Sequence, residues 1–315
     1  MWSNARRLGA VASLCALLLS ACAHRPETVQ TVPEPGQGTP VPHKRLDERL
    51  APEVSVETRR GAAASLARVP PSHCPFGRPS YTGSEPEGPT EHIARDGYEL
   101  LHSPVFKGPF WVCEKYTRAS LVSRYDRHGL DFDPDPLLRL DHATDADYRD
   151  RTAYGFHIGH MAPAAAHSST SARIADTFYY SNAIPQNSSL NSGMWANVEA
   201  CARDSLPVNG VAWVITGPAY APEPGEYLTY IGDFLHVPTH VWKVVVMQDE
   251  GGALTSWAII VPNEKLPQGY RYETYQRSID QVERITGFDL LPDLLDQAEK
   301  GLERKVPAYP CNRRR

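Results

Sequence analysis

The order of strand-like and helix-like segments is the feature that most restricts how this chain folds. Apolar, β-rich runs that end at turn residues cover 110–112, 211–215, 241–247 and 257–261. Helical periodicity of the apolar residues covers 191–203 and 272–285. Strands and helices therefore do not alternate regularly, which disfavours a doubly wound α/β fold. The sequence predicts an α+β domain.

The first residues have the layout of a secretory signal. Arg6 and Arg7 precede an apolar run over 8–19, which is too short to cross a bilayer and ends at small residues. The run leads into Leu-Ser-Ala-Cys, which resembles the bacterial lipobox, where the leader is cut before a cysteine that receives acyl chains. We expect residues 1–21 to be a lipoprotein signal peptide and Cys22 to be the lipid attachment site. A cleaved signal with an incidental cysteine is the alternative.

The segment over 22–71 is rich in proline and charged residues and poor in aromatics, so it buries too little apolar surface to fold. We interpret it as a disordered tether to a single folded domain over 72–315, which is long enough for one sizeable core. The absence of aspartate after Cys22 resembles outer-membrane lipoproteins. We therefore expect a protein of the bacterial cell envelope that is anchored by lipid in the outer membrane.

Cysteine usage fits an oxidising compartment. Cys15 lies within the leader and Cys22 takes the lipid. Four cysteines remain in the domain, namely Cys74, Cys113, Cys201 and Cys311. An even number outside the cytoplasm indicates two disulfides, for which three pairings are possible. We favour pairing the first with the second and the third with the fourth, because this ties each end of the domain to its middle.

The net charge limits how the chain can bind a phosphate backbone. The formal net charge is −5, and loss of a leader that holds Arg6, Arg7 and no acidic residue lowers it to −7. A tight nucleic-acid binder is ordinarily basic. Any function on DNA or RNA must therefore use a local cluster of cations.

Two histidines three residues apart lie in the segment Tyr-Gly-Phe-His-Ile-Gly-His-Met-Ala-Pro-Ala at 154–164. His157 and His160 follow a strand-like approach and are expected in a turn-prone stretch. A histidine pair of this kind is ordinarily hydrogen bonded within the fold or exposed by accident, so the pair alone does not indicate catalysis. Its meaning depends on the residues that follow it.

About twenty residues later the sequence reads Asn-Ala-Ile-Pro-Gln from Asn182 to Gln186. Four residues then follow at intervals of four, namely Asn191, Trp195, Glu199 and Arg203. On an α-helix this spacing advances about 40° per step, so the three polar members form a drifting stripe on one side. The alternative is an ordinary helix with a core tryptophan, a capping asparagine and a surface Glu–Arg pair.

Together the two segments resemble the DNA/RNA non-specific endonuclease family. Its signature is Asp-Arg-Gly-His-(Leu or Met)-Ala-Pro-Ala, then Asn-x-x-Pro-Gln, then Asn-x-x-x-Trp-x-x-x-Glu on a metal-binding helix. The sequence matches this pattern over 159–164, over 182–186 and at 191, 195 and 199, and shorter matches in the family's order extend over 98–294. The resemblance implies a central antiparallel sheet flanked by helices, with a ββα-metal finger active site.

The resemblance also implies a reaction, the hydrolysis of phosphodiester bonds in DNA and RNA with little sequence specificity. His160 corresponds to the general base that takes a proton from the attacking water, since a histidine pKa of about 6.5 suits neutral pH. Asn191 corresponds to the ligand of a divalent cation. One neutral oxygen ligand leaves the ion most of its waters, which favours Mg²⁺, with Mn²⁺ as the alternative ion.

Four further residues have supporting roles by the same resemblance. Glu199 corresponds to a carboxylate that orients the metal-bound waters. Arg203, one turn later, corresponds to an arginine that approaches the phosphate. Asn182 and Gln186 correspond to groups that hold the loop of the base near the metal helix.

The sequence departs from the family where the Asp-Arg pair of the signature is replaced by His157 and Ile158. Isoleucine cannot stabilise charge at the scissile phosphate, and loss of such a donor typically costs on the order of 10² to 10³ in rate. Three interpretations stay open: a slower enzyme, an enzyme in which Arg203 or Arg173 contacts the phosphate, or a domain without nuclease activity. His157 is a spacer, an anchor for His160 or an added metal ligand that favours Mn²⁺ or Zn²⁺.

Two other functions are compatible with parts of the sequence. A non-catalytic envelope lipoprotein would use the same scaffold to bind a partner or nucleic acid, and the missing arginine and the acidic charge favour it. A zinc hydrolase would use His157, His160 and His167, but it lacks a carboxylate at motif spacing and makes the Asn and Gln matches accidental. We therefore favour an active metal-dependent endonuclease.

The lipid assignment is testable in cells. We expect Cys22→Ser to abolish incorporation of labelled palmitate, because the thiol that accepts the acyl chain is lost. Cys15→Ser is the matched control and should be labelled like the wild type. A labelled Cys22→Ser protein would contradict the assignment.

Overall fold

The computed structural model of the protein describes residues 73–82, 88–221, 227–294 and 301–311. The predicted signal peptide, Cys22 and the tether all lie outside these residues. Within the described part, every helix is too short or too polar to cross a lipid bilayer.

Thirteen strands are present in the described residues. They are β1 Ser80–Tyr81, β2 Glu91–Ala94, β3 Tyr98–Ser103, β4 Gly108–Tyr116, β5 Phe156–His160, β6 Ala183–Asn187, β7 Val211–Ala219, β8 Thr229–Ile231, β9 Leu235–Val237, β10 His240–Gln248, β11 Leu254–Pro262, β12 Gln276–Arg277 and β13 Phe288–Asp289. The helices are α1 Asp145–Tyr148, α2 Ser171–Asp176, α3 Ser188–Leu190, α4 Ala196–Asp204 and α5 Ile279–Thr286. A π-helical turn, Asn191–Trp195, joins α3 to α4.

Seven of the strands form one antiparallel sheet in the order β12-β11-β10-β7-β4-β3-β2. The four β-rich runs of the sequence form its centre, as β4, β7, β10 and β11. The α+β class with a central antiparallel sheet is thus confirmed. β5 and β6 form a separate two-stranded ribbon, as do β8 and β9.

The sheet separates two apolar cores, because successive side chains of a strand point to opposite faces. On β10, Val241 and Val245 belong to one core, whereas Trp242 and Val244 belong to the other. The first core also contains Met161 directly after β5, Ile184 of β6, Trp195 of the π-helical turn and Val198 of α4. The second core contains Ile279 and Val282 of α5. The ribbon and α4 therefore lie together on one face of the sheet.

The helix predicted over 272–285 is wrong in its first half. Gln276 and Arg277 instead pair with Ile259 and Ala258 of β11, which adds the edge strand β12. The helix begins only after Ser278, whose hydroxyl accepts a hydrogen bond from the amide of Gln281. Pairing with a distant strand overrides the local helical pattern at these residues.

The helix predicted over 191–203 lies within α3, the π-helical turn and α4, but it is not a uniform α-helix. Gly193 has φ −107° and ψ −105°, which breaks the helix between Asn191 and Trp195. A π-helical turn changes the angle between successive side chains, so the even advance expected from α-helical geometry does not apply across it. The turn sets the direction of Asn191 separately from that of Glu199.

Both favoured disulfides are present. Cys74 bonds Cys113 of β4, and Cys201 of α4 bonds Cys311 near the end of the described chain. The second bond joins residues 110 positions apart and fixes the C-terminal segment against α4.

We expect the double change Cys201→Ala with Cys311→Ala to lower the free energy of unfolding by about 2–5 kcal/mol, because a long loop of the unfolded chain is no longer closed. Urea denaturation of the oxidised protein measures this. The matched control is the double change Cys74→Ala with Cys113→Ala, which removes a disulfide that closes a shorter loop. An unchanged unfolding midpoint in the first variant would contradict the expectation.

Candidate active site

The β5–β6 ribbon carries the histidine segment. The register of the two strands sets His157 opposite Gln186. His160 lies opposite Ala183 at the end of the ribbon. The expected turn is therefore wrong for both histidines, because five consecutive residues of this segment pair with β6.

Asn182 fixes the chain immediately after the ribbon. Its side chain is completely buried and accepts a hydrogen bond from the amide of Ala162 at 2.9 Å. Its amide nitrogen donates to the carbonyls of Ala162 at 3.0 Å and Thr177 at 2.9 Å. These bonds hold the segment that follows His160 against the start of β6.

Gly159 lies beneath the side chain of Gln186. A Cβ atom on Gly159 would lie 2.6 Å from the Gln186 Cβ and 3.0 Å from its Cδ, and would also meet Oε1. Gln186 is completely buried, so it has no solvent space into which it can move. The glycine of the motif is therefore required by the close approach of the two strands.

Asn187 connects the ribbon to the helices. Its side-chain oxygen accepts from the amides of Ser189 at 3.0 Å and Leu190 at 3.3 Å, which caps the start of α3. The π-helical turn begins at the next residue, Asn191. The chain thus forms a β-ribbon followed directly by a helix.

His157 contacts the predicted metal ligand. The Nδ2 atom of Asn191 donates a hydrogen bond to the Nδ1 atom of His157 at 3.3 Å. This bond uses the amide nitrogen, so the oxygen of Asn191 is the atom that remains for a cation. None of the roles expected for His157 included an anchor for Asn191.

His160 lies between two aromatic rings, which the sequence did not reveal. Its ring centroid is 4.7 Å from that of Phe132 and 4.9 Å from that of Phe178. The Nε2 atom is buried and has no hydrogen-bond partner among the described residues. Burial, together with the charges of Arg127 and His167, lowers the pKa of His160 to about 3. His160 is therefore neutral at physiological pH.

Glu199 lies on α4 above the central sheet. Burial raises its pKa to about 7, whereas the charges of Lys243 and Arg203 act in the opposite direction. Lys243 is completely buried on β10, donates a hydrogen bond to the hydroxyl of Thr216 and lies 5.4 Å from the ring centroid of Trp195. Lys243 interrupts the otherwise apolar run 241–247, and this charged residue was the signal in the sequence for such a contact.

One groove of about 1130 Å³ brings most of the predicted residues together. Its lining includes His157, Ile158, His160, Asn191 and Glu199. The volume exceeds the roughly 300–1,000 Å³ of ordinary small-molecule pockets, which suits a polymeric ligand. The groove is also lined by two arginines that sequence reasoning missed, Arg127 and Arg151.

The other predicted residues lie outside the groove lining. Arg203 lies one turn beyond Glu199, and its Nη1 atom is buried without an acceptor among the described residues. Arg173 lies 3.8 Å from a carboxylate oxygen of Asp96. Asn182 and Gln186 support the ribbon from inside the core.

The three histidines of the zinc alternative do not converge. His167 is completely buried, and its Nε2 atom lies 2.8 Å from Glu114. Among the described residues, His157, His160 and His167 do not bring three ligand atoms within 4.8 Å of one another. The structure therefore does not support a zinc site at this position.

An antiparallel ribbon followed by a helix, with a histidine and an asparagine facing one groove, defines the ββα-metal class of fold. A family model described as DNA/RNA non-specific endonuclease matches residues 80–297, which is more than half of the chain. The chain belongs to this family, as the sequence motifs predicted.

Named relatives agree with this assignment. The mitochondrial nuclease EXOG of Xenopus laevis is 32% identical over 68% of this chain and 61% of its own length, so the chain spans about three fifths of that relative. The mitochondrial endonuclease G of Homo sapiens is 33% identical over 65% of this chain and 71% of its own. A solved chain from the EndoG/EndoGI complex superimposes with a TM-score of 0.62 and 27% identity, covering 71% of this chain and 94% of that one.

We expect Gly159→Ala to lower the free energy of unfolding by roughly 1–3 kcal/mol, because the new methyl group overlaps Gln186. Thermal denaturation measures the loss. Adding Gln186→Ala to the same chain removes the contacts with Oε1 and Cδ but keeps the contact with Cβ, so it should recover only part of the stability. Equal melting temperatures for wild type and Gly159→Ala would show that the two strands are less closely packed.

Proposed function

We propose that this protein is a metal-dependent endonuclease that hydrolyses phosphodiester bonds of DNA and RNA with little sequence specificity. The proposal rests on one observation: the residues His160, Asn191 and Glu199 line the same groove. These side chains supply a neutral base, a neutral oxygen ligand and a carboxylate. Phosphodiester hydrolysis requires a base for the attacking water and positive charge near the phosphate.

His160 is proposed as the general base. Its low pKa keeps the ring neutral, and Phe132 and Phe178 restrict the orientation of the ring. Asn182 holds Ala162, two residues after His160, in place through two hydrogen bonds. The base is therefore positioned before substrate binds, which reduces the reorganisation needed for proton transfer.

Asn191 and Glu199 suit a hydrated Mg²⁺ ion, with Mn²⁺ as the alternative. The His157 contact presents the amide oxygen of Asn191, a hard neutral ligand. Glu199 would accept hydrogen bonds from metal-bound waters, and a nearby cation would favour its ionised form. When bound, the ion would offset negative charge on the phosphoryl oxygens and on the leaving oxygen.

We further propose that the enzyme acts in the bacterial cell envelope, anchored in the outer membrane through Cys22. This part of the proposal rests on the N-terminal sequence alone. The two disulfides of the domain support an oxidising compartment.

A nuclease-like binding protein without activity is the second candidate. Ile158 favours it, because this side chain packs against an apolar cluster that includes Tyr148 and Tyr180 and offers no charge to a phosphate. Incubation of the purified soluble domain with plasmid in Mg²⁺, Mn²⁺ or EDTA separates the two candidates. Cleavage that EDTA abolishes supports the enzyme.

We expect His160→Ala to reduce plasmid cleavage by about 10² to 10⁴-fold, because no other group takes the proton of the attacking water. Circular dichroism checks that the variant is folded. His128→Ala is the matched control, since His128 is exposed and does not line the groove. Cleavage at the wild-type rate by His160→Ala would remove the assignment of the base.

We expect Asn191→Ala to raise the Mg²⁺ concentration needed for half-maximal cleavage by at least tenfold, because its protein ligand is lost. His157→Ala should shift the same titration less, since it frees the Asn191 amide without removing its oxygen. Overlapping titrations for wild type and Asn191→Ala would place the ion elsewhere.

A further inference from the structure

Aromatic side chains form much of the groove wall. Within the described residues the phenylalanines and tyrosines of the lining are Tyr125, Phe132, Phe178 and Tyr180. Phe132 and Phe178 enclose the ring of His160 and lie 5.2 Å apart between their own ring centroids. Tyr180 stacks on Tyr148 and donates its hydroxyl to Asp145 at 2.8 Å. These three rings are therefore used by the fold and support the proposed base.

Tyr125 is the fourth of these residues, and its ring is free. The residue is 48% exposed and lines the groove. Among the described residues, its hydroxyl has no hydrogen-bond partner and its ring stacks on no other aromatic ring. A single exposed tyrosine on a protein surface is ordinary. Tyr125 differs because it lies in the groove where the substrate is proposed to bind.

The backbone at Tyr125 is held in place. The amides of Arg124 and Tyr125 donate to the carbonyl of Ser168 at 2.9 Å and 3.0 Å, and Ser168 is itself a buried residue of the groove lining. Further along the loop, the amide of Asp133 donates to the carbonyl of Phe178 at 3.0 Å. The loop is thus anchored on both sides of its exposed tip. Tyr125 is positioned at the groove before a ligand binds, which lowers the entropic cost of contacting it.

The charge of the groove is unfavourable for a nucleic-acid duplex. Its lining contains more carboxylates than arginines, namely Asp126, Asp131, Asp145 and Glu199 against Arg127 and Arg151. A duplex carries a dense array of phosphates, and proteins bind it mainly by neutralising many of them with lysine and arginine. This groove offers few such contacts. Affinity for a nucleic acid must therefore come in part from contacts with bases.

A tyrosine ring provides such a contact. Bases stack on aromatic side chains, and the interaction tolerates any sequence because every base has a flat π-face. In a duplex the faces of the bases are covered by their neighbours, whereas in a single strand the bases can be splayed out and stacked on protein. A single strand also carries a lower density of phosphate charge than a duplex. The groove therefore suits a single strand in both respects.

We propose that Tyr125 stacks on an unpaired base of the strand in the groove, so that the enzyme favours single-stranded DNA or RNA over duplexes. This inference rests on the proposed nuclease function and narrows its substrate class. The arginines of the groove contact the strand through its phosphates, and Tyr125 contacts it through a base. Because stacking does not depend on base identity, the preference is for strandedness and not for sequence.

Binding of two oligonucleotides tests the stacking contact. One is a fluorescent thymidine oligonucleotide, and the other has the same length and the same phosphates but abasic sites in place of thymidines. The full chain is used in detergent with Mg²⁺ and carries His160→Ala so that the oligonucleotides stay intact. We expect Tyr125→Ala to weaken binding of the thymidine oligonucleotide by about tenfold and to leave binding of the abasic one unchanged. Fluorescence anisotropy measures both affinities.

Two further variants make this result specific. Tyr125→Phe keeps the ring and loses the hydroxyl, so it should bind the thymidine oligonucleotide like the parent. Tyr227→Ala is the matched control, because Tyr227 is 70% exposed and lies outside the groove lining. Equal losses for both oligonucleotides on Tyr125→Ala would show that the residue contacts phosphate or sugar, which overturns the proposal. Unchanged binding of the thymidine oligonucleotide would also overturn it.

Cleavage kinetics test the preference for single strands. With His160 present, we expect Tyr125→Ala to lower kcat/KM about tenfold on a single strand and to leave it unchanged on the duplex of the same sequence. Equal losses on the two substrates would overturn the preference. If the wild type cleaves neither substrate, the nuclease proposal fails, and the affinities for the thymidine and abasic oligonucleotides still decide whether Tyr125 stacks on a base.

Discussion

The antiparallel pairing of β5 with β6 is the constraint on which the site depends. Gly159 leaves space for the buried side chain of Gln186, and this close approach fixes the register of the ribbon. β6 runs directly into the helices through the cap at Asn187, so the register also fixes where Asn191 lies. A slip of one residue would turn His160 to the opposite face of the ribbon. The proposed base and metal ligand therefore belong to one rigid unit.

The sheet beneath this unit contributes buried charge as well as apolar packing. Lys243 and Glu114 are completely buried on neighbouring parts of the sheet, and their charges act on Glu199 in opposite directions. Glu114 is itself held by His167 at 2.8 Å and by the hydroxyl of Tyr116 at 2.9 Å. Burying such groups carries a desolvation cost that apolar residues would avoid. Their position under α4 indicates that they set the charge around Glu199.

His157 and Ile158, which replace the Asp-Arg pair of the signature, contact two different neighbours. His157 accepts a hydrogen bond from the side-chain amide of Asn191, so it orients the proposed metal ligand. Ile158 joins an apolar cluster in which a charged side chain would have no partner. The two residues lie next to each other in sequence, but they point to opposite faces of a strand, which is why their roles separate. Among the described residues, the groove is lined by two arginines from other segments, Arg127 and Arg151.

The sequence predicted the four central strands of the sheet, the family, and three candidate site residues, His160, Asn191 and Glu199, because these features follow from local periodicity and from motifs of fixed spacing. It also indicated the disulfide pairing. It did not determine the start of α5, since Gln276 pairs with a strand that is distant in sequence. The contact of His157 with Asn191 follows only from the three-dimensional structure, as does the presence of Arg127 and not Arg173 in the groove lining. Such contacts join segments that are far apart in the chain. They leave no periodic pattern in the sequence from which they could be predicted.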